Sequence, residues 1–214
     1  MKDLLLIPEQ KCGSFHLGAH YVCFETRGSP TFPTLSEKEQ QLLQELNVAK
    51  VPSSQHLQSL ENLVADHPTC PELKNLLIFY YLKKKRLKKA EKLLVTSYKE
   101  HPHNIIVRIN YADHCLRHGQ MQKISTIFSG IYDLSLLYPS QKVFHVSEFR
   151  GFMVLMGFYH LSLKDREKAI CYHYLAARVD PHHPGVKLLE KKLYTPSPLQ
   201  NLLLCIKGCF VKIK

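Results

Sequence analysis

The sequence predicts an all-α protein assembled from repeated pairs of helices. Two stretches, LKKAEKLLVTSYKEHPHN and REKAICYHYLAARVDPHH, each place a proline twelve residues after an alanine, with apolar residues at helical spacing between them. Pro68 and Pro102 lie 34 residues apart, and the large residues Leu77 and Tyr111 recur at the same spacing. A period of this length is typical of stacked helical hairpins.

The small residues and prolines of these units resemble the tetratricopeptide repeat (TPR), a helix-turn-helix unit that stacks into a right-handed superhelix. The matching positions are the small residues Ala112 and Gly157 in first helices, Ala90 and Ala169 in second helices, Gly119 in a turn, and the closing Pro68, Pro102 and Pro181. Ile78, Ile124 and Leu136 depart from the family pattern. The resemblance covers about residues 34–193 and implies a TPR-like α-solenoid of about three to four units.

Helix packing explains why these residue types matter. Two helices approach closely only where the crossing carries a small side chain, and large neighbours fill the space beside it. A proline just past the second helix prevents its continuation. The residue types leave one alternative open, a non-repetitive helical bundle whose prolines recur by chance.

The chain divides into three predicted parts: an irregular N-terminal arm over residues 1–33, a TPR-like superhelix over 34–194, and a capping or amphipathic helix over 195–214. Ser36 and Glu39 have the spacing of a capping box, which predicts the start of the first helix. From Ala112 to the matching Gly157 the spacing grows from 34 to 45 residues. Either a lengthened helix beginning near Ser140 or a long loop would accommodate the extra residues.

Composition limits the function classes. The 214 residues carry 29 Lys and Arg against 18 Asp and Glu, a net charge of +11 that favours acidic partners. The apolar run that Pro8 interrupts is too short for a signal peptide, and seven scattered cysteines are typical of reduced thiols, so we expect a cytoplasmic protein. Phosphate-loop, dinucleotide, nucleophile-elbow and zinc-protease motifs are absent from the sequence, which predicts no enzyme and no cofactor.

The resemblance implies that the first helix of each unit lines a concave groove. The corresponding residues are Leu76, Phe79, Ile106, Ile109, Asn110, Val154, Leu155 and Phe158. Most of them are apolar, and the cationic residues of a carboxylate clamp are missing, so the groove suits an apolar peptide or helix. We therefore expect an adaptor or chaperone-like module whose partner is another protein.

A cluster of cations supports the alternative function. The basic patch comprises Lys83, Lys84, Lys85, Arg86, Lys88 and Lys89, and the register places it at the turn between two helices. Together with a C-terminal helix containing Lys207, Lys212 and Lys214, it would suit nucleic acid or an anionic membrane surface. Acylation of Cys205 or Cys209 would strengthen a membrane contact. The other turns are only mildly basic, which makes nucleic acid the less favoured partner.

The arm contains weak metal-ligand candidates, Cys12, His16, His20 and Cys23. Their residue types suit zinc, but their spacing matches no zinc module known to us, so we predict packing roles and no metal. The apolar residues of the arm are too few for a separate core. We therefore expect the arm to pack against the superhelix, in its groove or over its first helices, and to act as a lid on partner binding.

Overall fold

A computed structural model describes residues 4–12, 15–24, 35–48 and 53–195, and this part of the chain is mainly helical. The helices are α1 (Glu37–Val48), α2 (Ser54–Asp66), α3 (Pro71–Lys83), α4 (Leu87–Glu100), α5 (Ile105–Arg117), α6 (Met121–Ile127), α7 (Leu134–Leu137), α8 (Val146–Ser162), α9 (Arg166–Val179) and α10 (Pro184–Tyr194). From α1 to α6 each helix packs against the next, and α8 packs against both α5 and α9. The predicted capping box is confirmed, since the Ser36 N–H donates to Glu39 at 2.7 Å ahead of α1.

The same turn joins α3 to α4, α5 to α6, and α8 to α9. Its central residue has positive φ in all three cases: Lys85 (57°), Gly119 (71°) and Lys164 (63°). In each turn the N–H of this residue donates to the carbonyl three residues earlier, and the next N–H donates to the carbonyl five residues before it. These bonds satisfy carbonyls that the end of the first helix leaves without partners. The first two turns are separated by the predicted period of 34 residues.

A second type of junction recurs between one helix pair and the next. The C-terminal cap residues His67, His101 and Asp180 each donate to the carbonyl four residues earlier and accept from the N–H three residues later. The prolines singled out in the sequence directly follow these caps, as predicted for residues that stop a helix.

The small residues lie where helices meet. Ala90, Ala112 and Ala169 are buried, which confirms the predicted burial of Ala90 and Ala169. A Cβ atom added to Gly157 in α8 would collide with the side chain of Leu189 in α10. The close approach of α10 to α8 therefore depends on glycine at this position.

The described part of the arm is not irregular; it has the extended, hairpin structure that its partly alternating sequence favours. It forms strands β1 (Leu4–Ile7), β2 (Gln10–Cys12), β3 (Phe15–Leu17) and β4 (His20–Cys23). Strands β2 and β3 pair as one hairpin, and β1 pairs antiparallel with β4. A fifth strand, β5 (Val143–His145), pairs parallel with β4 and completes a sheet of order β1-β4-β5.

Both sheets of the arm contribute side chains to the core of the second half of the protein. Ile7, Leu17 and Val22 are buried in the same apolar cluster as Phe144 and Phe149. The expectation that the arm packs against the helices is thus confirmed, and the helices that the described strands contact most are α8 and α9, in the second half of the chain. This burial favours an integral part of the core over a removable lid.

The segment between α6 and α8 differs from both sequence alternatives. No helix begins near Ser140; the extra residues form α7, a turn and β5, and α8 begins at Val146. Helix α6 is short because Ser129 and Gly130 both adopt positive φ directly after it. The buried guanidinium of Arg108 donates to the carbonyl of Ile127, the last residue of α6, where a cation is stabilised by the helix dipole.

Candidate functional site

A cleft of about 430 Å³ opens between α3, α4 and α5, and we call it the α3–α5 cleft. Its volume lies within the range of about 300–1,000 Å³ that is usual for binding sites. Its lining residues are Asn75, Ile78, Phe79, Leu82, Leu87, Ala90, Glu91, Leu94, Asn110, Asp113, His114, Arg117 and His118. Two of the predicted groove residues, Phe79 and Asn110, belong to it.

The two long walls of the cleft have different chemistry. Positions 75, 78, 79 and 82 of α3 form one wall, and positions 110, 113, 114 and 117 of α5 form the other, each with the spacing of one helix face. The α3 wall and the adjoining start of α4 are apolar and exposed: Phe79 is 48%, Leu82 50% and Leu87 63% accessible. The α5 wall is polar. An exposed apolar cluster with a polar rim is typical of an interaction surface.

A hydrogen bond bridges the two walls at one end of the cleft, which we call the closed end, and the basic turn borders the other end, which we call the open end. The amide of Asn110 donates to Asn75 Oδ1 at 3.2 Å and links α3 to α5 at the closed end. At the open end Leu82 and Leu87 bracket the basic turn in the sequence, so the cations border the cleft. The ammonium of Lys83 lies 4.5 Å from the centroid of the Phe79 ring, a cation–π contact.

Part of the basic patch is neutralised by one carboxylate. Glu61 of α2 lies 3.0 Å from Lys89 and 3.7 Å from Arg86, and it also accepts a hydrogen bond from the Tyr81 hydroxyl at 2.6 Å. The Tyr81 bond, together with Lys89 and Arg86, holds the pKa of Glu61 below its usual range although burial acts to raise it. Glu61 therefore stays ionised and forms ion pairs with two of the six cations of the basic patch.

The remaining cations of the patch have no such partner. Lys83, Lys85 and Lys88 are exposed and Lys84 is half-buried, and within the described residues none of the four forms an ion pair with a carboxylate. The predicted basic patch is thus present as a surface feature beside the cleft. Its free positive charge lies at the open end.

The charges of the polar wall and of Glu91, which adjoins it on α4, are partly balanced among themselves. Arg117 pairs with Asp113 at 2.7 Å, and His114 lies 3.5 Å from Glu91. Burial lowers the pKa of His114, and the neighbouring His118 lowers it further, while Glu91 opposes this. His114 is consequently neutral near pH 7, so the carboxylates of this wall are only partly compensated.

A larger depression of about 580 Å³ lies between α1 and α2. Its walls are mostly charged or amide side chains, including Glu39, Glu45 and Asn62, and it is more open to solvent than the α3–α5 cleft. A shallow polar surface offers little desolvation energy to a partner, so we take the α3–α5 cleft as the candidate site.

The other predicted groove residues do not line an open groove. Ile109 and Leu155 are buried in the core, where Ile106 and Val154 pack against them. Phe158 packs with Ala169 and α10, and Leu76 packs against the core of α1–α4. In the α8 part of the predicted groove, Phe158 therefore faces α10 and not an open groove.

The structure does not bring the metal candidates together. His16 is exposed and lies 3.2 Å from Glu9, whereas His20 and Cys23 are buried on a different sheet. The side chain of Cys12 lies outside the described residues. In the described part of the chain no group of three or more metal-ligating side chains is found.

The sequence reasoning missed Leu82 and Leu87. The sequence does contain a signal for both. Leu82 directly precedes the run of cations and Leu87 interrupts it, where a fully solvated turn would carry polar residues. The predicted C-terminal helix, including Cys205 and Cys209, lies outside the described residues.

Comparisons with protein-family models, with curated proteins and with solved structures find no match to this chain. Among the described residues no helix combines the length and apolarity needed to cross a bilayer.

Proposed function

We propose that this chain is a TPR-like helical repeat protein that binds another protein through the α3–α5 cleft. The repeat assignment is supported by the recurring turns at Lys85, Gly119 and Lys164 and by the buried small residues Ala90 and Ala169. An adaptor or chaperone-like role in the cytoplasm, without catalysis or a cofactor, fits this assignment.

The observation that carries the binding proposal is the uncovered α3 wall. Phe79, Leu82 and Leu87 are each about half exposed and border one cleft, although large apolar side chains gain free energy when buried. The hydrogen bond between Asn75 and Asn110 holds α3 and α5 together at the closed end, which reduces the entropy that the cleft itself loses on binding.

Site-specific photocrosslinking tests the proposal. A benzoylphenylalanine at position 82 should form protein adducts in extract of the source cells, and the added substitution Phe79→Ser should abolish them. Position 136 serves as a control, because Leu136 lies outside the cleft and is more exposed than Leu82 (67% against 50%). Equal labelling from positions 82 and 136 would contradict a specific cleft.

The alternative is a nucleic-acid or anionic-membrane-surface binder, and the unpaired Lys83, Lys85 and Lys88 favour it. Binding of that kind releases counterions and weakens steeply as salt rises. Adducts that survive about 0.3 M salt would support the protein-binding proposal.

A further inference from the structure

The open end of the α3–α5 cleft combines apolar surface with unpaired positive charge. Leu82 and Leu87 line the cleft there. Lys83, Lys84 and Lys85 in the turn between them, and Lys88 just after Leu87, form no ion pair with a carboxylate among the described residues. Lys83 also contacts the cleft wall directly through the Phe79 ring. A partner that fills the cleft therefore meets these cations at its edge.

The opposed walls indicate an amphipathic partner. An apolar face would lie on Phe79, Leu82 and Leu87, while polar groups would face Asn110, Asp113 and His114 on α5. The apolar wall provides few hydrogen-bonding groups for the backbone of an extended peptide. A helix satisfies its own backbone and presents apolar residues at i, i+3, i+4 and i+7, which matches the spacing of the walls.

We propose that the partner of the cleft is an amphipathic helix whose apolar stripe is flanked by carboxylates. The stripe packs on the α3 wall, and the carboxylates lie beside Lys83, Lys85 and Lys88. This inference rests on the proposed protein-binding function and adds the chemical class of the partner.

Charge also argues against two other occupants. The segment over residues 196–214 has apolar residues but carries three lysines and no aspartate or glutamate, so the basic turn would repel it. Nucleic acid would engage the lysines, yet the apolar wall and the carboxylates Glu91 and Asp113 offer nothing to its phosphates.

A displayed library of random peptides, about 16 residues long, selected on the full chain tests the proposal. The wild-type protein should enrich acidic sequences with apolar residues at helical spacing. A Lys83→Glu/Lys88→Glu variant should lose these sequences and enrich neutral or basic ones. Lys191→Glu/Lys192→Glu on α10 is the matched control, because it changes the net charge equally at exposed positions far along the chain from the cleft.

Selected peptides, made synthetically and labelled, then give affinities by fluorescence anisotropy. We expect the Lys83→Glu/Lys88→Glu variant to bind an acidic winner about tenfold more weakly, and lysine in place of the peptide's flanking glutamates to restore binding to that variant. Phe79→Ser should abolish binding, whereas Leu188→Ser on α10 should leave it unchanged. Circular dichroism of the bound peptide should show added helix.

Three results would contradict the inference, and they have different consequences for the proposed protein-binding function. Winners that require Phe79 but show no acidic preference would refute the acidic helix and leave the protein-binding proposal standing. Winners that ignore Phe79, or no winners at all, would refute both. Single-stranded RNA or phosphatidylserine vesicles that bind through Lys83 and Lys88, with no dependence on Phe79, would assign the basic turn to those occupants instead.

Discussion

The Nε2 atom of His20 lies 3.3 Å from Oδ1 of Asp133, and both side chains are almost fully buried. Asp133 also accepts hydrogen bonds from the Gly18 N–H at 2.6 Å and from the Ser135 N–H at 2.7 Å. These contacts connect the arm to the N-terminal end of α7. Burial acts to raise the pKa of Asp133, but His20 and the donors from Gly18 and Ser135 together hold it well below its usual range.

The low pKa of Asp133 predicts acid-dependent loss of stability. A carboxyl whose folded pKa is depressed stabilises the fold above its unfolded pKa of about 3.9, and this contribution is lost as the pH falls below that value. Asp133→Asn should cost about 1–3 kcal/mol at neutral pH, because the charged acceptor of the buried Gly18 and Ser135 N–H groups is lost. Urea unfolding at several pH values measures this; a variant as stable as the wild type near pH 7 would contradict it.

A second pH effect should arise from His160. Burial lowers its pKa to about 4, although Asp165 acts to raise it, and its ring stacks on Tyr172 at 5.4 Å. Between pH 4 and the unfolded pKa of about 6.5 the unfolded chain binds the extra proton, so stability falls as the pH falls through this window. His160→Phe keeps the stacked ring and should remove up to about 3 kcal/mol of that dependence.

The comparison of urea unfolding near pH 7 and near pH 4.5 isolates this contribution. His173, whose pKa burial also lowers, remains in both proteins and cancels. If the unfolding free energy of His160→Phe depends on pH as steeply as that of the wild type, the pKa of His160 is not lowered in the folded state.

The role of the arm is testable with two leucines that lie on opposite sides of it. Leu17 is fully buried and Leu6 is 49% exposed. Leu17→Ala should cost about 2–5 kcal/mol, as other buried leucines do, whereas Leu6→Ala should cost well under half of that. Thermal unfolding distinguishes the two; a lid that opens to admit a partner would instead tolerate Leu17→Ala and bind the partner more tightly.

The crossing of α9 with α10 predicts an overpacking effect. Ala169 is completely buried against Leu189 and Leu193. Ala169→Leu should cost about 1–3 kcal/mol, because the added atoms have no space. Ala65→Leu is the matched control, since Ala65 is exposed on helix α2. Equal unfolding midpoints for the two variants would be inconsistent with a close crossing.

Local signals explain what the sequence predicted well. The capping box at Ser36, the turn at Gly119 and the burial of Ala90 each depend on residues within one or two helical turns or on a regular period. The pairing of β4 with β5 leaves no such signature, because the strands are four and three residues long and far apart in the chain. Of the predicted groove residues, only Phe79 and Asn110 line the cleft. At the α8 end of the expected groove Phe158 packs against α10, a contact that the repeat period does not predict.

The parallel pairing of β4 with β5 has a consequence for synthesis on the ribosome. Val22 pairs with Phe144, so the arm emerges more than a hundred residues before the strand that completes its sheet. At about 5–20 residues per second this interval lasts roughly 6–25 seconds, during which α1 to α5 can already fold. Throughout it, the edge of β4 that later pairs with β5 has unpaired backbone, and Ile7 and Val22 lack the helices that bury them, which makes the nascent arm a natural binding site for a chaperone.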